Sequence, residues 1–175
     1  MNKELWEKAV VFHGHECPGL AIGVKACEAA MLKMGITFSD DEEIVCITEN
    51  DACGVDAVQA ILSCSVGKGN LIYYGTGKQA FSFFNRKNGQ KLRVYLKAPK
   101  PENADRKAWQ EQLLNSSVDE IFSFSEPKID FPERARIFTS LECEVCGERA
   151  PEHKMRLQEG KTVCLDCFKN YERGW

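Results

Sequence analysis

The sequence predicts an α+β fold, with helices packed on a mainly antiparallel sheet, followed by a small C-terminal module stapled by metal. Three observations predict it. Apolar residues recur at helical spacing over 3–12 and 18–34, and again from Asn50 to Leu62, with one buried-strand run at 43–49 between them. From Ser65 onward short β-rich runs take over, and Asn88-Gly89 between two of them is a hairpin-turn signal. Near the C-terminus two C-x-x-C pairs, Cys143/Cys146 and Cys164/Cys167, are separated by seventeen residues. The expected division is a core domain over 1–125, a linker over 126–139 and a four-cysteine zinc-finger domain over 140–175.

Taken in order, residues 3–12 read as a short helix. Pro18 suits the first position of the next helix, which puts Cys17 at its cap. Over 18–34 the residues Leu20, Val24, Cys27, Met31 and Met34 make one apolar stripe, and Ala21, Gly23, Ala26, Ala29 and Ala30 permit close packing on neighbours, so this is a central helix with Cys27 in the core. Gly35 stops it, and Glu43 to Glu49 follows as a buried strand containing Cys46. Asp51 or Asn50 can cap the third helix, whose face carries Val55, Val58 and Leu62. Strands are expected at 70–74, 80–84 and 92–96, then a helix from Asp105 to Phe124 after the break at Ala98-Pro99-Lys100-Pro101. Residues 136–141 read as one more strand.

The residues that carry chemistry cluster at helix starts. If His13 to Cys17 runs extended, His13, His15 and Cys17 project from one edge, an imidazole and thiolate set suited to a transition metal or to an activated thiolate. The plainer alternative is that His13 ends the first helix and the glycine and proline only shape a turn. Cys53 repeats the arrangement in the first turn of the third helix, where the dipole lowers a thiol pKa, and Asp56 stands one turn on as ligand, base or dipole partner. Glycines 67, 69, 75 and 77 do not make a phosphate loop: Ile72 stands where that pattern needs Gly, and Gln79 where it needs Ser or Thr. Lys68 and Lys78 keep two readings, solvated loop lysines or contacts to an anionic ligand.

The cysteine quartet is the strongest motif. Zinc takes four thiolates tetrahedrally and each C-x-x-C turn presents two, so Cys143, Cys146, Cys164 and Cys167 complete a closed structural site and His153 is left outside it. A hairpin around Glu159-Gly160 and a helix from Leu165 would make the module similar to a treble-clef finger; a rubredoxin-like iron site is the metal alternative. From Glu148 to Trp175 six basic residues face five acidic ones, too even a balance for phosphate neutralisation, so folding, dimer formation or protein docking is favoured over nucleic-acid binding.

Composition supports these limits. With 43% hydrophobic and 28% charged residues and a formal net charge of -3, the chain of 175 residues reads as an ordinary globular protein without a basic footprint for nucleic acid or membrane. The N-terminus does not read as a signal peptide and no apolar run is long enough to span a bilayer. A cytoplasmic location follows, where nine cysteines argue for metal or thiol chemistry before disulfides.

Four ordered stretches, His13-Gly14-His15-Glu16-Cys17-Pro18-Gly19-Leu20-Ala21-Ile22-Gly23, Cys53-Gly54-Val55-Asp56-Ala57-Val58-Gln59, Gly67-Lys68-Gly69-Asn70-Leu71 and Gly77-Lys78-Gln79-Ala80-Phe81-Ser82-Phe83, resemble the FmdE family, the E-subunit family of formylmethanofuran dehydrogenase. The resemblance covers residues 3 to about 124, with Ser82 where the family leads one to expect Thr. It implies an α+β core, a homodimer, and a shared cleft lined by the His–Cys segment and the Cys53 helix. It also implies an auxiliary treble-clef zinc finger and an association with molybdenum or tungsten dehydrogenase operons of one-carbon metabolism and methanogenesis, hence a larger oxidoreductase complex as partner. Three readings of function follow. One is a metal-binding accessory protein or metalloenzyme, with His13, His15 and Cys17 on a second transition metal beside the finger zinc, Cys53 as further ligand and Asp56 or Asp51 behind them. The second is thiol redox or acyl chemistry by Cys53 or Cys17 with His15 as base. The third is a zinc-stabilised docking scaffold.

Overall fold

A computed structural model describes residues 2–171 and Arg173. The chain divides into two compact units, the first ending at Ala135 and the second starting at Arg136.

In the first unit, α1 (Lys3–His13) begins at Asn2, whose side chain accepts from the Leu5 N–H, and ends at Gly14, whose φ of +88° turns the chain out of the helix. Helix α2 (Pro18–Met34) follows with Cys17 as its cap and is enclosed over most of its length; Leu20, Ala21, Val24, Ala26 and Cys27 are fully buried. Strand β1 (Ile44–Thr48) is buried throughout and leads to α3 (Gly54–Leu62). Strands β2 (Leu71–Tyr73), β3 (Ala80–Asn85) and β4 (Lys91–Leu96) come next, then α4 (Arg106–Asn115), α5 (Val118–Ile121) and β5 (Phe122–Ser125).

The sheet order is β2-β1-β3-β4-β5, antiparallel except for the β1–β2 pair, which α3 connects in parallel. The fold is therefore α+β with a mainly antiparallel sheet. Alternation along β3 assigns its faces: Phe81 and Phe83 join the helices in the main core with Leu20, Val24, Leu62 and Leu113, whereas Phe84 forms a second cluster with Val45 and Ile47. Ile129 packs on that second cluster, Phe131 meets Phe84 edge-on at 5.2 Å between ring centroids, and the Arg86 guanidinium donates to the carbonyls of Pro132 and Glu133. Residues 126–135, the first part of the stretch expected as a linker, thus lie on the first unit.

Two expectations are corrected here. The helix expected from Asp105 to Phe124 breaks at Ser116-Ser117, because Ser117 opens a new helix by donating its N–H and hydroxyl to the Glu120 carboxylate. Beyond it Phe122-Ser123-Phe124-Ser125 alternates apolar and polar and pairs with β4, Val94 opposite Phe124 and Leu96 opposite Phe122. Nor do Asn50 or Asp51 cap α3, which starts later. Asn50 instead closes the turn before it, accepting from the Ala52 N–H at 3.1 Å and donating to the Lys78 carbonyl at 3.0 Å.

The second unit consists of two hairpins, β6 (Ser140–Glu142) with β7 (Arg149–Pro151) and β8 (Met155–Gln158) with β9 (Lys161–Cys164). The strand expected over 136–141 is confined to β6, and Glu159-Gly160 forms the expected turn. The helix expected from Leu165 is a single turn among the described residues. Lys169 exchanges two hydrogen bonds with the Gln158 side chain, which ties the chain to β8. No helix among the described residues is long and apolar enough to cross a membrane.

Candidate functional site

The first cluster forms where α2 and α3 cross. A Cβ added at Gly23 would lie 2.2 Å from the Gly54 carbonyl oxygen, so the two backbones approach as only glycines allow. One turn earlier, a Cβ on Gly19 would meet Cys53 Cβ at 3.2 Å and Cys53 Sγ at 3.5 Å. This close crossing brings together Cys17, the cap of α2, and Cys53, which stands at the cap position of α3 and not in its first turn as expected. Gly14 then folds the end of α1 over them, and the ligand atoms of His13, Cys17 and Cys53 all fall within 4.8 Å of one another.

Cys17 and His13 are held from behind. Cys17 Sγ accepts the Leu20 N–H at 3.3 Å, so the sulfur also caps α2. His13 Nδ1 and the Asp56 carboxylate are 2.7 Å apart, which turns Nε2 toward Cys17 Sγ at 3.8 Å. Gln59, one turn along α3, donates to the other Asp56 oxygen at 3.2 Å. A metal with Zn–N of about 2.0 Å and Zn–S of about 2.3 Å spans tetrahedral N···S separations of about 3.5 Å, within a few tenths of an ångström of the distance seen. A carboxylate behind a histidine with the other ring nitrogen facing two sulfurs is the support that metal-ligating histidines use. Burial, followed by the neighbouring Cys17 sulfur, pushes the Cys53 thiol up, opposite to the lowering expected from the helix dipole alone.

His15 falls elsewhere. The expected extended run is replaced by a helix end and a turn, so His13 and Cys17 converge around Gly14 while His15 is exposed, its ring 4.4 Å from that of His13. Its ring nitrogens are not in the three-atom cluster. Asp51, Cys53, Asp56 and His13 line a cleft of about 390 Å³ whose other walls include Val66 and Tyr73. Sequence reasoning misses Gln59, Val66 and Tyr73; of these only Gln59 carries a signal, its i+3 spacing from Asp56. Cys27 and Cys46 pack in the core, where burial raises both thiols, and burial lifts Cys64 to about 12.

In the second unit the sulfurs of Cys143, Cys146, Cys164 and Cys167 lie within 4.8 Å of one another. Cys146 and Cys164 Sγ are 3.9 Å apart, near the edge of about 3.8 Å that a tetrahedral zinc–tetrathiolate centre requires. Cys143 accepts the Cys164 N–H, and the amides of Cys146 and Cys164 lower its thiol to about 6. His153 stands against Phe138, ring centroids 4.0 Å apart, outside the thiol cluster.

The family model described as FmdE, molybdenum formylmethanofuran dehydrogenase operon, matches residues 12–125. The chain belongs to the FmdE family. A second model, the prokaryotic dksA/traR C4-type zinc finger, matches residues 136–173, which contain the four gathered thiols and support zinc as their ligand. Among solved structures, an FmdE-like protein of the tungsten formylmethanofuran dehydrogenase type from Syntrophus aciditrophicus superposes with a TM-score of 0.69 at 25% identity, over 94% of this chain and 90% of that one. A curated relative from Archaeoglobus fulgidus, named a probable S-adenosyl-L-methionine-binding protein, is 32% identical over 94% of this chain. The FmdE-family chain spans about half, 52%, of that relative's length.

Proposed function

We propose that this FmdE-family chain is a metal-binding accessory protein whose core site holds a transition metal through His13 Nε2, Cys17 Sγ and Cys53 Sγ. The finger zinc is the second, structural metal. The observation that carries the reading is the Asp56–His13 pair, which holds the imidazole with its free nitrogen toward both sulfurs. Three protein ligands would leave a fourth position open, and His15, whose ring lies 4.4 Å from that of His13, is the neighbouring imidazole that would bind or move a proton there. The chemistry such an ion supplies is polarisation of a carbonyl or activation of a water. Homodimer formation and a cytoplasmic location belong to the same proposal, as does docking to a larger oxidoreductase, which the family's association with a dehydrogenase operon supports. The S-adenosyl-L-methionine binding named for the Archaeoglobus protein is not carried over, because nearly half of that protein lies outside the match.

Elemental analysis of the purified full chain tests the reading. Wild type is expected to carry two metal equivalents, Cys17→Ser/Cys53→Ser only that of the finger, and Cys143→Ser/Cys146→Ser only that of the core. Wild type with a single equivalent that survives in Cys17→Ser/Cys53→Ser overturns it. Rapid alkylation of Cys53 in metal-free protein near neutral pH would then favour thiol chemistry.

A further inference from the structure

The sheet face turned away from the helices holds a second cavity, of about 270 Å³, that shares no lining residue with the His13–Cys53 cleft. Strand alternation builds it: Ser82 stands on β3 opposite Arg93 of β4 and Ile47 of β1, on the side away from Phe81 and Phe83. Ser82 is fully buried and lines the cavity, yet its hydroxyl finds no hydrogen-bond partner among the described residues. Buried hydroxyls are almost always paired, so an orphan in a cavity wall points to a group that fills the space.

The charges around it say what kind of group. The Glu49 carboxylate is consumed: Arg93 donates to it from Nε at 2.5 Å and Nη2 at 3.1 Å, and the Thr76 hydroxyl donates at 2.9 Å. Glu126 pairs with Lys91 at 3.1 Å. Lys78 and Lys128 also line the cavity, and neither ammonium has an ion-pair partner among the described residues. The wall therefore offers two ammonium groups outside any close ion pair, Lys78 acting on Glu49 only at longer range, and an unused hydroxyl, with both of its carboxylates paired to other cations.

We infer that this cavity binds a small oxyanion of the carboxylate or phosphate class, held by Lys78 and Lys128 and by a hydrogen bond from Ser82 Oγ. Charge-assisted bonds from two ammonium groups supply the attraction, and the serine hydroxyl gains the acceptor it lacks. Ile129 and Tyr74 on the remaining walls accommodate a short apolar tail, and the volume limits the ligand to a small molecule.

Isothermal titration of the full chain with sodium phosphate and, separately, sodium acetate, at constant ionic strength set by chloride, tests this. Saturable binding of one of them is expected, which also identifies the class. Lys78→Ala/Lys128→Ala should weaken it about tenfold or more, and Ser82→Ala several-fold, consistent with loss of charged hydrogen bonds. The thermal midpoint of Ser82→Ala without ligand should not fall, because the hydroxyl has no partner to lose. Cys17→Ser/Cys53→Ser should bind the oxyanion as wild type does. Absence of saturation with both salts overturns the inference. So does equal binding in the lysine variant, or loss of binding in the core cysteine variant.

Discussion

In the proposed core site Asp56 acts from behind His13. Its carboxylate orients His13 through Nδ1, and such partners behind a ligand typically account for roughly a 10–100-fold effect on metal affinity. Asp56→Ala is expected to weaken core metal binding by about that factor in a competition titration with a chromophoric chelator, with the finger metal unaffected. Cys17 carries two duties, since its sulfur also caps α2. Serine is a good cap, so Cys17→Ser should lose the metal while keeping the helix. Glu43 is one contributor to the acid response. Burial pushes its carboxyl up, but the amides of Glu43, Asp41 and Asp40 and the Ser39 hydroxyl outweigh that and lower it to about 2. A depressed pKa contributes stability that is present above the free value near 4.5 and is lost as pH falls toward 2. Glu43→Gln should therefore flatten the pH dependence of stability across that interval, measured by denaturant unfolding at successive pH values.

The crossing of α2 and α3 is the element on which the site depends. Adding a methyl at Gly23 drives it into the Gly54 backbone, which no side-chain rotation relieves. Gly23→Ala is expected to cost about 3 kcal/mol in urea unfolding, at the upper end for an overpacked contact, and to separate Cys17 from Cys53 so that core metal is lost. Much of this level is legible in the sequence. The stripe and small residues of 18–34 announce a central helix, and Pro18 announces a cysteine at its cap. What periodicity does not show is which helix faces meet, so the expectation that Cys53 joins His13 and Cys17 around one cleft comes from the family resemblance and not from the helix pattern. The extended reading of five residues misplaces His15, and the plainer alternative, in which His13 ends the first helix and Gly14 shapes a turn, describes the backbone. The 105–124 region fails for a related reason: a Ser-Ser pair is compatible with helix, and only pairing with β4 shows that Phe122 and Phe124 are strand residues.

At the scale of the whole chain, the two units rest on different forces. The first has an extensive hydrocarbon core of aromatic and aliphatic side chains. The second has, among the described residues, a core cluster of four buried residues, Cys143, Met155, Val163 and Cys164, two of which are metal-ligand candidates. Small domains of this kind fold on the metal's binding free energy rather than on apolar burial. Chelation is expected to abolish the dispersion of the Met155 and Val163 methyl signals in NMR spectra while those of Leu20 and Val24 persist. The finger can be recognised from spacing alone, since four thiols at fixed intervals leave few geometries. The core cluster needs the tertiary fold.

That contrast also bears on the protein's lifetime. With its ion stripped, the second unit becomes a short tether of polar chain, open to any protease, while the first remains folded and resists digestion. Limited proteolysis in a strong chelator should accumulate one fragment ending close to Ala135, the last residue of the first unit. Metal supply would then set which length of the polypeptide survives.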